Sequence, residues 1–229
     1  GVLEFRVAPF SPYFQAVGND NVDAEELEVD RLPEAKMNNL TSALTAHGPE
    51  GVSADEGYGW FPVREEDQTF PGLVTSYYAG KKYVLLYTRP NKTMLAQRGD
   101  DGWVLKDAKE DRDYSSGQPA VSFTLDATGK KLFARLTSDN VGRQMAILLD
   151  GEVYNAPNIK VGITQGKAQI TVPTMQERPE LCRTLRAGSL PAMLDPNPIS
   201  ENNFGPSLGQ DNKEMGLRAG LWGLIAVAV

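Results

Sequence analysis

The stretch VSFTLDATGKKLFARLTSDNVGRQMAILLDGEVYNAP, residues 121–157, decides how the rest of this chain is read. Its first six residues alternate Val121, Phe123 and Leu125 with Ser122, Thr124 and Asp126, the period of a strand with one buried face. From about 127 to 140 the period becomes helical. Leu132, Phe133 and Leu136 fall on one side, and Gly142 is placed to end the helix. Asp150-Gly151 then sits between two β-prone runs and supplies the positive φ angles of a two-residue hairpin turn. This reading gives one core shared by Phe123, Leu125, Leu132, Phe133, Leu136, Ile147 and Leu149.

Downstream, residues 168–172 read as another strand, and 175–186 as a helix ending near Gly188. Strand, helix, hairpin, strand, helix is an α+β order, which predicts a mainly antiparallel sheet with helices on one face. Upstream, VLEFRV (2–7) alternates Leu3, Phe5 and Val7 against Glu4 and Arg6, a strand whose partners must come from elsewhere; Pro9 and Pro12 end it. The pattern is helical over 20–44, with Leu27, Met37, Leu40 and Leu44 as anchors and Pro33 as an interruption, and Gly48-Pro49 closes it. Short strands follow at 60–63, 83–88 and 103–105, and the charged run 107–113 reads as a solvated connector. Residues 219–229, AGLWGLIAVAV, are apolar all round. They read as the first half of a transmembrane helix, rather than a buried terminal helix, in what is a piece of a longer chain.

Charge and chemistry narrow the function classes. The 30 acidic residues outnumber 23 basic ones, and the basic residues form no stripe, so nucleic acid and anionic headgroups are poor partners. A single histidine and a single cysteine leave no zinc cluster and no Cys-His pair. His47 reads as a helix C-terminal residue, and Cys182, between Leu181 and Leu185, as a buried inert thiol. No phosphate-binding glycine loop occurs. The acidic clusters Glu25-Glu26, Glu65-Glu66-Asp67 and Asp100-Asp101 lack the spacing of a calcium loop and read as solvated turns. No catalytic residue, metal or cofactor is expected. What stands out is punctuation by Gly151, Gly166, Gly188, Gly205 and Gly209 with Pro157, Pro191 and Pro206, which specifies shape rather than reactivity.

Four segments, GQPAVSFTLD (117–126), TSDNVGRQMAILLDGEVYNAPNI (137–159), LRAGSLPA (185–192) and FGPSLGQD (204–211), resemble the SecD family of the bacterial Sec protein translocase in order and spacing. LEFRV (3–7) resembles the strand that precedes the head in that family. QGKAQITVPT (165–174) departs by lacking a second glycine before the strand, and Pro179 departs by interrupting the start of the last helix. The resemblance implies a ferredoxin-like base with an inserted head. Its expected divisions are a last base strand at 1–9, an enlarged insertion of short strands and a helical segment at 10–112, a head at 113–190, a return strand at 191–200, and a linker with the start of a transmembrane helix at 201–229. It also implies a non-enzymatic component on the extracytoplasmic side of the inner membrane, which binds emerging unfolded preprotein and assists export driven by the proton motive force. The implied partners are SecF, separate or fused, the Sec channel complex, and the membrane through the C-terminal helix. Tyr154, Asn155, Ala156 and Pro157 are the candidate preprotein contacts, and Pro9, Pro12, Gly188 and Pro191 the candidate hinges. The competing classes are a periplasmic hydrolase or peptidase with an unconventional acidic site, and a structural scaffold that docks translocase partners.

Overall fold

In a computed structural model, residues 2–14, 31–52, 56–95, 102–113, 116–172 and 175–188 are described. The elements follow in the order β1 (Leu3–Val7), α1 (Glu34–His47), β2 (Tyr58–Pro62), β3 (Thr75–Tyr78), β4 (Lys81–Tyr87), β5 (Thr93–Met94) and β6 (Leu105–Arg112). After them come β7 (Pro119–Leu125), α2 (Ala127–Ser138), β8 (Met145–Leu149), β9 (Glu152–Asn155), β10 (Lys167–Thr171) and α3 (Glu177–Gly188). They build three antiparallel sheets, ordered β5-β1-β8-β9, β10-β7-β6 and β2-β4-β3. The fold is α+β with helices packed on one face of the sheet that they cover. The expectations for 15–30 and 189–229, including the apolar run at the end, lie outside the described residues.

The four-stranded sheet is buried on both faces, which explains why every residue of β8, MAILL, is buried. Met145, Ile147 and Leu149 join Phe5, Phe123 and Phe133 in the larger core, while Ala146 and Leu148 join Val63, Val84, Leu86 and Val153 in a second one. Three rings hold the larger core together: Phe5 of β1 lies 4.9 Å from Phe133 of α2 and 5.9 Å from Phe123 of β7, centroid to centroid. On the other side, Leu85 and Tyr87 of β4 turn away from the second core toward Leu40 and Leu44 of α1, and Trp60 Nε1 donates to the Leu40 carbonyl at 3.1 Å.

Two expectations are corrected. Leu132 is 41 % exposed, because the buried stripe of α2 is Gly129, Phe133, Leu136 and Thr137, and a residue directly before Phe133 is turned about 100° away from it. The charged run 107–113 is no connector: β6 occupies most of it and pairs with β7 from Leu105↔Leu125 to Arg112↔Pro119. Only Leu105 and Ala108 of β6 are buried, while its charged residues stay on the solvent side or pair with α3, as Glu110 does with Arg178 at 3.0 Å. Strand pairing runs across the expected divisions at 9/10 and 112/113, since β6 pairs with β7 and β1 with β8 and β5. Residues 3–7 pair with β8 along the whole strand, and β1 has Met94 and Thr93 of β5 on its other side. The physical reason is burial: Leu3, Phe5 and Val7 find their apolar partners in this core.

Local chemistry fixes the joints. Asp126 caps α2, its Oδ1 accepting from Gly129 N at 2.8 Å and from Val104 N at 3.2 Å. Pro179 falls in the first turn of α3, where its missing N–H leaves no helical bond unmade. Leu181, Cys182 and Leu185 bury the inner face of α3, and Cys182 Sγ and Arg186 Nε both donate to the Ala108 carbonyl, at 3.3 and 2.8 Å.

Candidate functional site

A groove of about 620 Å³ lies between β10 and the segment 157–163. Phe5, Phe123, Phe133, Ile147 and Ile159 form its apolar floor. One wall is the segment itself. Its near end is fastened to the approach to β8, with Met145 N donating to Pro157 O at 3.0 Å and Ile159 N to Arg143 O at 2.8 Å. Its far end is fastened to α2, since Ile163 N donates to Thr137 Oγ1 at 2.8 Å while that hydroxyl donates to the Phe133 carbonyl at 2.7 Å. Between these anchors Val161 is pushed outward, 60 % exposed. Gly166 then turns the chain into β10 at φ +67°, and a side chain there would press on Lys130 of α2. Its left-handed backbone and its contact both call for glycine.

The other wall is β10, the terminal strand of its sheet. Leu125 N donates to Gly166 O and Val172 N donates to Pro119 O, both at 2.9 Å, so residues 166, 168, 170 and 172 turn their backbone groups toward β7. By alternation Lys167, Gln169 and Thr171 turn theirs outward, and no described residue bonds to them. On the outer face of the sheet, Gln169 Nε2 donates to Asp111 Oδ2 and Ser122 Oγ, both at 3.0 Å, and the Ser122 hydroxyl donates to the same carboxylate.

A family description, the SecDF P1 head subdomain, matches residues 83–192, and every groove residue except Phe5 lies inside that span. The SecD subunit of the protein translocase from Acidaminococcus fermentans is 46 % identical over 127 residues, covering 55 % of this chain and 30 % of that one. The corresponding subunit from Calditerrivibrio nitroreducens is 46 % identical over 114 residues, 49 % of this chain and 22 % of that one. Residues 83–192 are a SecD/SecDF-family head domain. The chain spans less than a third of the length of these two SecD relatives. A solved structure of SecDF, described as a membrane component that enhances protein export, is 28 % identical and covers 83 % of this chain and 64 % of that one, with a TM-score of 0.41.

Of the four contact candidates, the SecD/SecDF head brings only Pro157 to the groove. Tyr154 is buried because its sheet is covered on both faces: Val153 enters the second core, and Tyr154, on the opposite face, enters the larger one. Its ring lies 5.8 Å from the Arg64 guanidinium, and burial, then the charge of Glu177, raises its phenol far above the ordinary tyrosine value. Asn155 Oδ1 accepts from Ala156 N at 2.7 Å, a local turn bond. Ile159, Val161, Ile163 and the outward edge of β10 were missed, since a strand edge leaves no motif and 158–163 has no period.

The hinge candidates separate too. Pro9 is buried, and its neighbours are tied down, Ala8 N to Gln144 O at 3.0 Å and Ser11 N to Gly72 O at 2.9 Å. Pro12 is half-buried, Gly188 closes α3, and Pro191 lies outside the described residues. Among the described residues no three His, Cys, Asp or Glu gather as a metal site. Glu65, Glu66 and Asp67 are exposed, Glu25-Glu26 and Asp100-Asp101 lie outside the described residues, and His47 is exposed at the last position of α1. No helix of the described residues is long and apolar enough to cross a membrane.

Proposed function

We propose that this chain is the non-enzymatic, polypeptide-holding head of a SecD subunit, standing on the extracytoplasmic side of the inner membrane. There it would receive unfolded preprotein as it leaves the Sec channel and, with SecF, assist export driven by the proton motive force. The observation that carries the reading is the groove: an apolar floor beside an unpaired strand edge offers what any unfolded chain presents, apolar side chains and backbone amides, and demands no particular sequence. The kinship with SecD and SecDF proteins supplies the context. If the head moves against a base, the crossing at Pro9 and Pro12 is a poor hinge, because it is packed and hydrogen-bonded.

Binding of reduced, carboxymethylated α-lactalbumin tests the reading. Val161→Asp alters an exposed side chain on the groove wall, so it should weaken binding about fivefold or more while the melting temperature stays within a few degrees. Tyr77→Asp, at a 59 % exposed position on β3 remote from the groove lining, is the control and should bind as the parent does. Equal binding by both variants and the parent would remove the groove from the function.

A further inference from the structure

We infer that the occupant of the groove is bound as an added β-strand along β10, through the outward N–H and C=O groups of Lys167, Gln169 and Thr171. This inference rests on the reading of the head as a polypeptide holder and specifies how the chain is gripped. Three observations carry it. The register with β7 leaves these three residues facing away from the sheet, and no described residue caps them. An unpaired edge is otherwise a liability that proteins blunt with lysine, proline, a bulge or a covering element; apart from Lys167 at its start, β10 has no such device among the described residues, and its ladder with β7 runs without a shift. Finally, the groove lies beside this edge, so a strand added there would place every second side chain beside the partly exposed Ile163 and Ala168 and the rest in water.

Charge selects among extended chains. Two lysines, Lys160 and Lys167, line the groove against one acid, Asp111, which accepts from Ser122 and Gln169. The occupant is therefore an extended segment with alternating apolar residues and a neutral to acidic character, not a basic one. Backbone pairing supplies affinity without reading sequence, and a proline or an N-methylated residue at a bonding position defeats it.

The test uses the full 229-residue chain and a fluorescein-labelled ten-residue peptide in which valine or leucine alternates with serine or threonine, followed by fluorescence anisotropy. N-methylating alternate residues along one edge of the peptide should weaken binding about tenfold or more, and methylating the opposite edge should leave it within about twofold. On the protein side, Gln169→Pro removes an outward donor but no bond to β7, a position where an edge strand tolerates proline. It should lose binding as the methylated peptide does. Tyr77→Ala, at an exposed position on β3 outside the groove lining, is the control and should bind as the parent. Should Gln169→Pro melt early, the two methylated peptides still decide the matter on the unaltered chain. Binding that is indifferent to methylation of either edge overturns strand addition and leaves the holding function standing. No binding of the parent chain to this peptide or to carboxymethylated α-lactalbumin overturns both.

Discussion

Leu136 and Leu132 lie one turn apart on α2 and show how finely burial separates neighbours. Leu136 is 4 % exposed inside the main core, so Leu136→Ala should cost about 2–5 kcal/mol in urea unfolding. Leu132→Ala should cost less than about 1 kcal/mol, and equal losses would mean that the helix is rotated from its described position. The two hairpin turns make a second pair. Asp150-Gly151 has φ of 52° and 82°, and open space surrounds a side chain added at Gly151, so Gly151→Val should lose about 1–2 kcal/mol through backbone strain alone. Ala79-Gly80 joins β3 to β4 with φ of 48° and 79°, which puts an alanine where asparagine is at ease. Ala79→Asn should raise the melting temperature; no rise would show that the alanine bears no strain. Tyr154 gives a signature in pH. Its phenol holds its proton more tightly folded than unfolded, so its contribution is complete below the unfolded value of 10.0 and is lost as pH climbs past it. Urea unfolding from pH 8 to 11 should therefore fall more steeply for the parent than for Tyr154→Phe, and parallel curves would contradict the burial of this ring.

Elements were legible where one face alone is buried or where a turn is spelled out by its residues. β7 and the Asp150-Gly151 hairpin follow from alternation and turn chemistry, and α2 from its apolar spacing. β6 was not legible, because LKDAKEDR buries only Leu105 and Ala108, and its ladder with β7 and the α3 side chains above Ala108 hold it as a strand against its own composition. Ala79-Gly80 escaped for a related reason, since alanine announces no turn. Of the contact candidates, Pro157 lines the groove, whereas Tyr154 is buried because its sheet is covered on both faces, which turn chemistry does not foretell. The joint before α2 gives the test at this scale. Asp126 accepts from both Gly129 N and Val104 N, so Asp126→Ala should cost about 1–2 kcal/mol in denaturant unfolding, and Asp126→Asn, which keeps the accepting oxygen, much less. Equal losses would remove the cap from the account of how β6 and α2 meet.

For the whole molecule, the three sheets share two cores, and the strand at the start of the chain lies inside the sheet that separates them. Residues 113–190 expressed alone lack β1, β5 and β6, and should show no cooperative thermal transition, whereas 1–190 should show one; a folded 113–190 would restore the narrower head that the sequence suggested. This construction sets the groove between a strand edge and a segment fastened at both ends, a rigid surface open to an extended chain. The most direct measurement places a benzophenone amino acid at Val161, and separately at Tyr77, in the full-length membrane protein, and exposes it to light beside a preprotein stalled during export. The account predicts a crosslink to the preprotein from position 161 and none from position 77; crosslinks of equal yield at both, or from position 77 alone, would contradict it.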